Sequence, residues 1–320
     1  MLCPCTLKFL GYGALGFILF KCFFILKRLF YPFFIASPVS LIKKAGARWA
    51  IVTGSTDGIG KAYATELAKN GFNIVLISRN PTKLQDVKHE IEKVSQDIEI
   101  KTIAFDFTNP SLEDYEKIIF NEVKSLEVGI LVNNVGLSYE YPELLHKTEG
   151  GLKRITDISI VNTLPPTILT AGILPQMIER KSGVVVNVAS FAGYYPIPML
   201  AVYSATKKYV NHITEILQKE YSSSGICFQS LCPMMVATNM SKVKKPSFFT
   251  PSPTQYVKSA LKTIGNASDT TGIFAHQLQA EFVGLLPEFV LNYLLWSTNK
   301  TIRAKAIKKK ERLAAEGKKD

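Results

Sequence analysis

A chain of 320 residues that is 47% hydrophobic and 20% charged can build one large α/β domain with appendages, and it is too apolar to be a disordered polypeptide. Its formal charge of +12 sits at the two ends: residues 1–48 carry +7 and residues 300–320 carry +6, which leaves −1 for the body and argues against a basic nucleic-acid channel through it. The five cysteines, Cys3, Cys5, Cys22, Cys227 and Cys232, form no paired framework and have no His or Cys neighbours at zinc-ligand spacing, which reads as a reduced compartment and no metal.

At the N-terminus, Phe9 to Leu26 is apolar apart from Lys21, and Leu29 to Ile35 continues the theme after Lys27-Arg28. Eighteen residues is the lower limit for a spanning helix, and no small-residue cleavage pattern follows. Residues 1–35 are therefore expected to be a membrane anchor, with an interfacial helix as the other reading, and residues 36–47 a linker. Lys27, Arg28, Lys43, Lys44 and Arg48 follow the segment and only Lys8 precedes it, which puts the following domain on the cytosolic side.

The first expected strand, Trp49 to Thr53, runs into Gly54-Ser55-Thr56-Asp57-Gly58-Ile59-Gly60 and then the helical Lys61 to Ala68. A strand, a loop with three glycines and a helix N-terminus together receive a pyrophosphate on backbone N–H groups. The second strand, Asn73 to Ile77, ends in Ser78-Arg79-Asn80, where an NAD site would want an acid; Arg79 can instead pair with a 2′-phosphate, which favours NADP(H). Further strands are expected at Glu99 to Phe105, Gly129 to Asn133, Gly183 to Ala189 and Ile226 to Leu231. Their alternation with helical stretches predicts an α/β doubly wound parallel sheet, Rossmann-like, with one catalytic domain over residues 48–281. Gly54, Asn133, Ser190 and Pro233 fall at or just after strand ends, where ligands bind in such folds.

Ser190 closes the fifth strand, and Tyr203 and Lys207 follow one helical turn apart, so a strand end can deliver a hydroxyl opposite a phenol and an ammonium. The ammonium is expected to depress the Tyr203 pKa and fit the pair for proton transfer to a carbonyl. The four histidines, His89, His146, His212 and His276, are isolated and read as surface or satisfied core residues.

Thr53-Gly54-x3-Gly58-Ile59-Gly60, Asn133-Asn134-Val135-Gly136, Ser190 and Tyr203-x3-Lys207 together resemble the short-chain dehydrogenase/reductase family over roughly residues 48–240. The run Asn133 to Pro142 is similar to the 17-beta-hydroxysteroid dehydrogenase type 3/12 branch, which holds the membrane-bound very-long-chain 3-oxoacyl-CoA reductases and provisionally named nematode steroid dehydrogenases. The resemblance implies Ser190 as the carbonyl-orienting group, Tyr203 as the proton donor, Lys207 as the ribose holder and Asn162 as the residue steadying a water that leads to Lys207. It also implies that Asp106 bonds the adenine amino group, that Asn133, Asn134 and Gly136 line the adenine-ribose side, and that Pro233, Val236 and Thr238 hold the nicotinamide end. Met234 stands where the family pattern has Gly, which leaves that turn open.

The expected activity is NADPH-dependent reduction of a lipid ketone at the endoplasmic reticulum membrane: a very-long-chain 3-oxoacyl-CoA in fatty-acid elongation, with a steroid 17-ketone as the alternative. Apolar residues in Phe191 to Leu200 and Met240 to Phe249 suit such a substrate, and Lys242, Lys244 and Lys245 could attract CoA phosphates or simply be a solvated loop. Other readings are a catalytically silent NADP- or lipid-binding adaptor and a lumenal enzyme glycosylated at Asn239, Asn266 or Asn299; a homodimer stays open. Residues 282–299 are expected to be a separate apolar segment, as a cap, core helix or interfacial helix, followed by a basic tail over 300–320 without a dilysine signal.

Overall fold

The computed structural model describes residues 4–316, so the first three residues of the expected anchor and the last four of the expected basic tail, Gly317 to Asp320, lie outside the described residues. The chain opens with α1 (Pro4–Phe30), continued by a π-helical turn (Tyr31–Ile35), and the short α2 (Leu41–Ala45). The body then alternates β1 (Trp49–Thr53), α3 (Gly58–Lys69), β2 (Asn73–Ser78), α4 (Pro81–Glu92) and β3 (Ile100–Ala104). A mixed helical stretch holds α5 (Leu112–Asp114), a π-helical part (Tyr115–Phe120) and α6 (Asn121–Val123). After it come β4 (Val128–Asn133), α7 (Gly151–Arg180), β5 (Gly183–Val188), α8 (Ala201–Glu220) and β6 (Ile226–Leu231). The chain closes with α9 (Pro253–Thr263), β7 (Asp269–Thr270), α10 (Phe274–Gly284) and α11 (Glu288–Glu316).

The seven strands form one parallel sheet in the order β3-β2-β1-β4-β5-β6-β7. Because a parallel sheet is covered on both faces, its central strands must be apolar throughout, and all residues of β1, β4 and β5 are buried. Alternate side chains go to opposite cores: Ala50 and Val52 pack with Leu67, Leu84 and Tyr256, while Ile51 and Leu131 pack with Tyr115, Leu169 and Ile173. Each fully buried aliphatic side chain of this kind contributes about 2 kcal/mol. The sequence-derived doubly wound sheet is the observed one, and the six expected strands match to within a residue or two at each end. The seventh, β7, has only two residues, and they pair with Ser230 and Leu231 of β6.

The connection reverses direction between β1 and β4, and this opens the crevice where ligands bind in such sheets. Helix α7 is long and apolar enough to cross a membrane, yet half of its apolar window is buried in the protein, as a core helix requires. At the C-terminal end, the apolar segment and the basic tail expected as separate units are rearranged. The chain breaks at Pro287, where the proline lacks a backbone donor, and α11 then runs unbroken through Trp296 and the basic residues to Glu316.

Candidate active site

The glycine loop is closed by the neighbouring strand end. The Asn134 side-chain amide donates to the carbonyls of Thr53 (2.9 Å) and Gly54 (3.2 Å), and the Asn134 and Val135 backbone amides donate to the Thr53 hydroxyl at 2.9 and 3.0 Å. Gly54 has φ +62°, a conformation that glycine adopts without strain. Gly60 has no such need, but a Cβ there would collide with the Gly54 carbonyl and the Asn134 amide, so the helix can approach the loop this closely only with glycine. Asp57 caps α3, accepting from the Gly58 amide at 2.7 Å, and its second oxygen accepts from the Asn239 side chain at 2.9 Å. That bond and the packing of Thr238 against Gly58 draw the segment after Pro233 over the loop.

Not every expected cofactor contact has its side chain free. Ser55 is buried, and its hydroxyl donates to the Ile77 carbonyl at 3.4 Å; Thr56 pairs with the Ser78 hydroxyl at 2.9 Å; Val236 is packed in the core. The Asn133 side chain is buried and donates to Thr170 (3.0 Å) and Asn187 (2.8 Å), so it fastens β4 to α7 and β5. Pro233 is buried, and its carbonyl accepts from the Phe191 amide at 2.9 Å; Ile59 is half-buried in the first turn of α3. Arg79 is exposed at the end of β2, and Asp106 is exposed just after β3 with its carboxylate accepting from Thr108.

Two of the four expected catalytic residues, Lys207 and Asn162, come together beside Gly136. A Cβ on Gly136 would lie 3.3 Å from Lys207 Nζ and 3.5 Å from Asn162 Oδ1. Asn162 is 1% exposed and bonded in full: its oxygen accepts from the Leu137 amide (2.8 Å), and its nitrogen donates to the Leu137 carbonyl (3.0 Å) and the Thr206 hydroxyl (3.0 Å). It therefore locks the Asn133–Gly136 strand end to the helix that carries Tyr203 and Lys207. Four residues on, Pro166 has no N–H to give the Asn162 carbonyl, which leaves that carbonyl without its helical donor. Lys207, 4% exposed, donates to the Val188 carbonyl at 2.9 Å, with its ammonium 5.9 Å from the Tyr203 ring centre. Ser190, two residues past β5, accepts from the Ala192 amide at 3.1 Å, and its hydroxyl pulls the Tyr203 pKa down in part.

The electrostatics differ from the sequence-based expectation. Burial raises the Tyr203 pKa, only partly offset by the Ser190 hydroxyl, and burial pulls Lys207 down to about 8. Desolvation favours the neutral form of both groups, and the ammonium lies beside the phenol ring rather than against its oxygen. Tyr203 thus stays protonated at neutral pH, the state a proton donor needs.

Of the four histidines read as surface or satisfied, His276 is satisfied, and it supports the turn after Pro233. His276 on α10 is fully buried; its Nδ1 accepts from the Met234 amide at 3.2 Å, which leaves the Nε2–H to donate to the Met235 carbonyl at 3.1 Å. The turn left open by Met234 is closed by this imidazole. Burial pulls the His276 pKa down to about 4. Because the unfolded chain takes up this proton near pH 6.5 and the folded chain only near 4, the stabilisation is complete above 6.5 and is lost as pH falls between the two, by about 3 kcal/mol in all. Chemical denaturation at pH 7 and pH 5 should show about 2 kcal/mol of this loss in the natural protein and a smaller one in His276→Asn; equal losses would mean that another group is responsible.

Helix α11 is tied to the loops that precede Tyr203 and follow Gly136. Asn299 donates to the Pro198 carbonyl at 2.7 Å, and Arg303 pairs at 2.7 Å with Glu143, whose own amide donates to the Met199 carbonyl at 2.8 Å. The three asparagines of the glycan sequons are all engaged: Asn239 with Asp57, Asn266 with the Ser37 carbonyl at 3.1 Å, and Asn299 with Pro198.

Comparison with known proteins places the same residues in a known context. The short chain dehydrogenase family matches residues 48–247. A very-long-chain 3-oxoacyl-CoA reductase of Caenorhabditis elegans is 52% identical over 314 residues, covering 98% of this chain and 99% of its own length. A provisionally named steroid dehydrogenase 2 from the same nematode is 48% identical, with 94% and 95% covered. Among solved structures, a short-chain dehydrogenase from Sphingobium yanoikuyae in complex with NADPH superposes with a TM-score of 0.59 at 26% identity, over 67% of this chain and 82% of its own.

Proposed function

This chain belongs to the short-chain dehydrogenase family, and from that premise we propose that it is a membrane-anchored NADPH-dependent reductase of very-long-chain 3-oxoacyl-CoA. The observation that carries the chemistry is the placement of Lys207 and Asn162 beside Gly136, with Tyr203 one turn before Lys207 on α8 and Ser190 just past the carboxyl end of β5. In this reading the Tyr203 hydroxyl gives its proton to the substrate oxygen, and the Ser190 hydroxyl holds that oxygen in place. Lys207 fixes the cofactor ribose, and the free Asn162 carbonyl holds a water through which Tyr203 is reprotonated. The close approach of α3 at Gly60 and the α3 N-terminus suit a pyrophosphate, and bound NADPH supplies the hydride.

Arg79 is the proposed 2′-phosphate partner, since it is exposed at the end of β2 and takes part in none of the ion pairs among the described residues. Arg79→Asp should raise the KM for NADPH by about 10- to 100-fold and leave that for NADH unchanged or lower. Titration of both cofactors checks this, and equal effects on the two would remove Arg79 from the site.

The anchor is α1. Within Lys8–Ile35 an 18-residue apolar window has a mean hydropathy of 2.0, and none of that window is buried in the protein. A 27-residue helix is about 40 Å long, enough for a hydrocarbon core of about 30 Å. Lys27 and Arg28 in its last turn favour a cytosolic catalytic domain, and the internal engagement of the three sequon asparagines fits that side. The endoplasmic reticulum is the proposed membrane, because fatty-acid elongation is the proposed setting.

The acyl-CoA substrate is favoured by the 52% identity to a named reductase over nearly the whole chain. A steroid ketone is the second reading, supported by the 48% identical relative. Membranes containing the protein should oxidise NADPH when given a long-chain 3-oxoacyl-CoA. Turnover of a steroid ketone with none of the acyl-CoA would reverse the order of the two.

A further inference from the structure

Helices α10 and α11 meet at a corner whose outward side chains are apolar and uncovered: Phe282, Leu285, Phe289 and Tyr293 are 65%, 68%, 76% and 72% exposed. Helix α11 is two-faced here. Leu291 and Asn299 are buried and, with the half-buried Leu295 and Arg303, follow at intervals of four against the domain, while Phe289 and Tyr293 lie opposite and Trp296, 38% exposed, flanks them. Single exposed apolar residues need no explanation, but a continuous aromatic stripe marks a contact surface.

The position of this corner says what covers it. Arg28, in the last turn of α1, forms a two-pronged ion pair with Glu281 at 2.6 and 2.7 Å, and Phe34 packs on Phe274 with ring centres 5.1 Å apart. Glu281 immediately precedes Phe282, so the apolar corner starts at the level where the uncovered apolar helix α1 ends. Tyr293 and Trp296 are the residue types that settle at the boundary of headgroups and acyl chains. The Lys300 ammonium stacks on the Trp296 ring at 5.1 Å, and Lys305, Lys308 and Lys309 follow along the helix, a charge that suits anionic headgroups.

We propose that the α10–α11 corner is a second membrane contact, which lies in the headgroup region of the leaflet that α1 enters and holds the mouth of the active site against the bilayer. This rests on the reading of α1 as an anchor. The inner face of α11 is bonded to the Pro198 and Glu143 loops, so docking its outer face fixes the strap that borders the site and gives a lipid substrate a path from the membrane.

The test uses the full chain in phosphatidylcholine vesicles with brominated acyl chains. The protein has two tryptophans; Trp49 is buried beneath the sheet and serves as the reference, so quenching reports on Trp296. The expected result is a loss of the Trp296 emission in brominated vesicles that disappears in Trp296→Phe. A Phe289→Glu, Tyr293→Glu double variant should still float with vesicles through α1 but lose the quenching, and its KM for long-chain substrate in vesicles should rise several-fold. Vesicle-bound protein whose Trp296 is not quenched overturns the proposal and leaves the anchor and the reductase reading standing. Trp296 shielded by a second copy, seen as cross-linking through position 293, also overturns it. Failure to float overturns it together with the anchor.

Discussion

Tyr203→Phe is expected to lower kcat by about 10³-fold or more while cofactor affinity stays within about twofold. The phenyl ring keeps its packing beside the Lys207 ammonium, so the change removes little beyond the hydroxyl. Without that hydroxyl, the oxygen of a reduced carbonyl has no proton donor of suitable acidity beside it. Lys207 is held on the Val188 carbonyl, and Ser190 is too weak an acid to replace a phenol. Single-turnover measurement of NADPH oxidation separates the chemical step from binding. A variant retaining a tenth of the natural rate would assign the proton to another group, and a silent adaptor would show no rate to lose.

The sheet was legible because each central strand of a parallel sheet is buried on both faces and so appears as an unbroken apolar run bounded by glycine or polar residues. The strand ends themselves were legible for a related reason: Gly54, Asn133, Ser190 and Pro233 stand where those runs stop. Strand β7 escaped because Asp269 and Thr270 have no periodicity of their own and are strand only through pairing with Ser230 and Leu231. The bonds of His276 could not be read because its partners, Met234 and Met235, lie some forty residues earlier and only the fold joins them. The burial of the Asn133 side chain could have been anticipated. Side chains alternate along a strand, so Asn133 shares a face with the buried Leu131 while Asn134 turns to the glycine loop. The direction of the Tyr203 shift could not be read, because it depends on how deeply the phenol and ammonium are desolvated rather than on their spacing.

That desolvation gives the last expected result: Lys207→Met should abolish turnover and yet make the cofactor-free protein more stable. The folded pKa of Lys207 is about 8, against 10.5 for an exposed lysine, so the unfolded chain holds the proton more tightly. Below pH 8 the full cost of burying the ammonium, about 3 kcal/mol, weighs on the folded state, and it fades as pH rises from 8 towards 10.5. The hydrogen bond to the Val188 carbonyl returns about 1 kcal/mol, so an isosteric methionine should gain about 2 kcal/mol at neutral pH. Denaturant unfolding in detergent at pH 7 and pH 10 measures this. The gap between variant and natural protein should narrow at the higher pH, and a gap that is negative or independent of pH would mean that the ammonium is well solvated where it stands. A buried cation kept at such a cost is the mark of a residue retained for chemistry, since nothing in the packing around Val188 and Gly136 requires its charge.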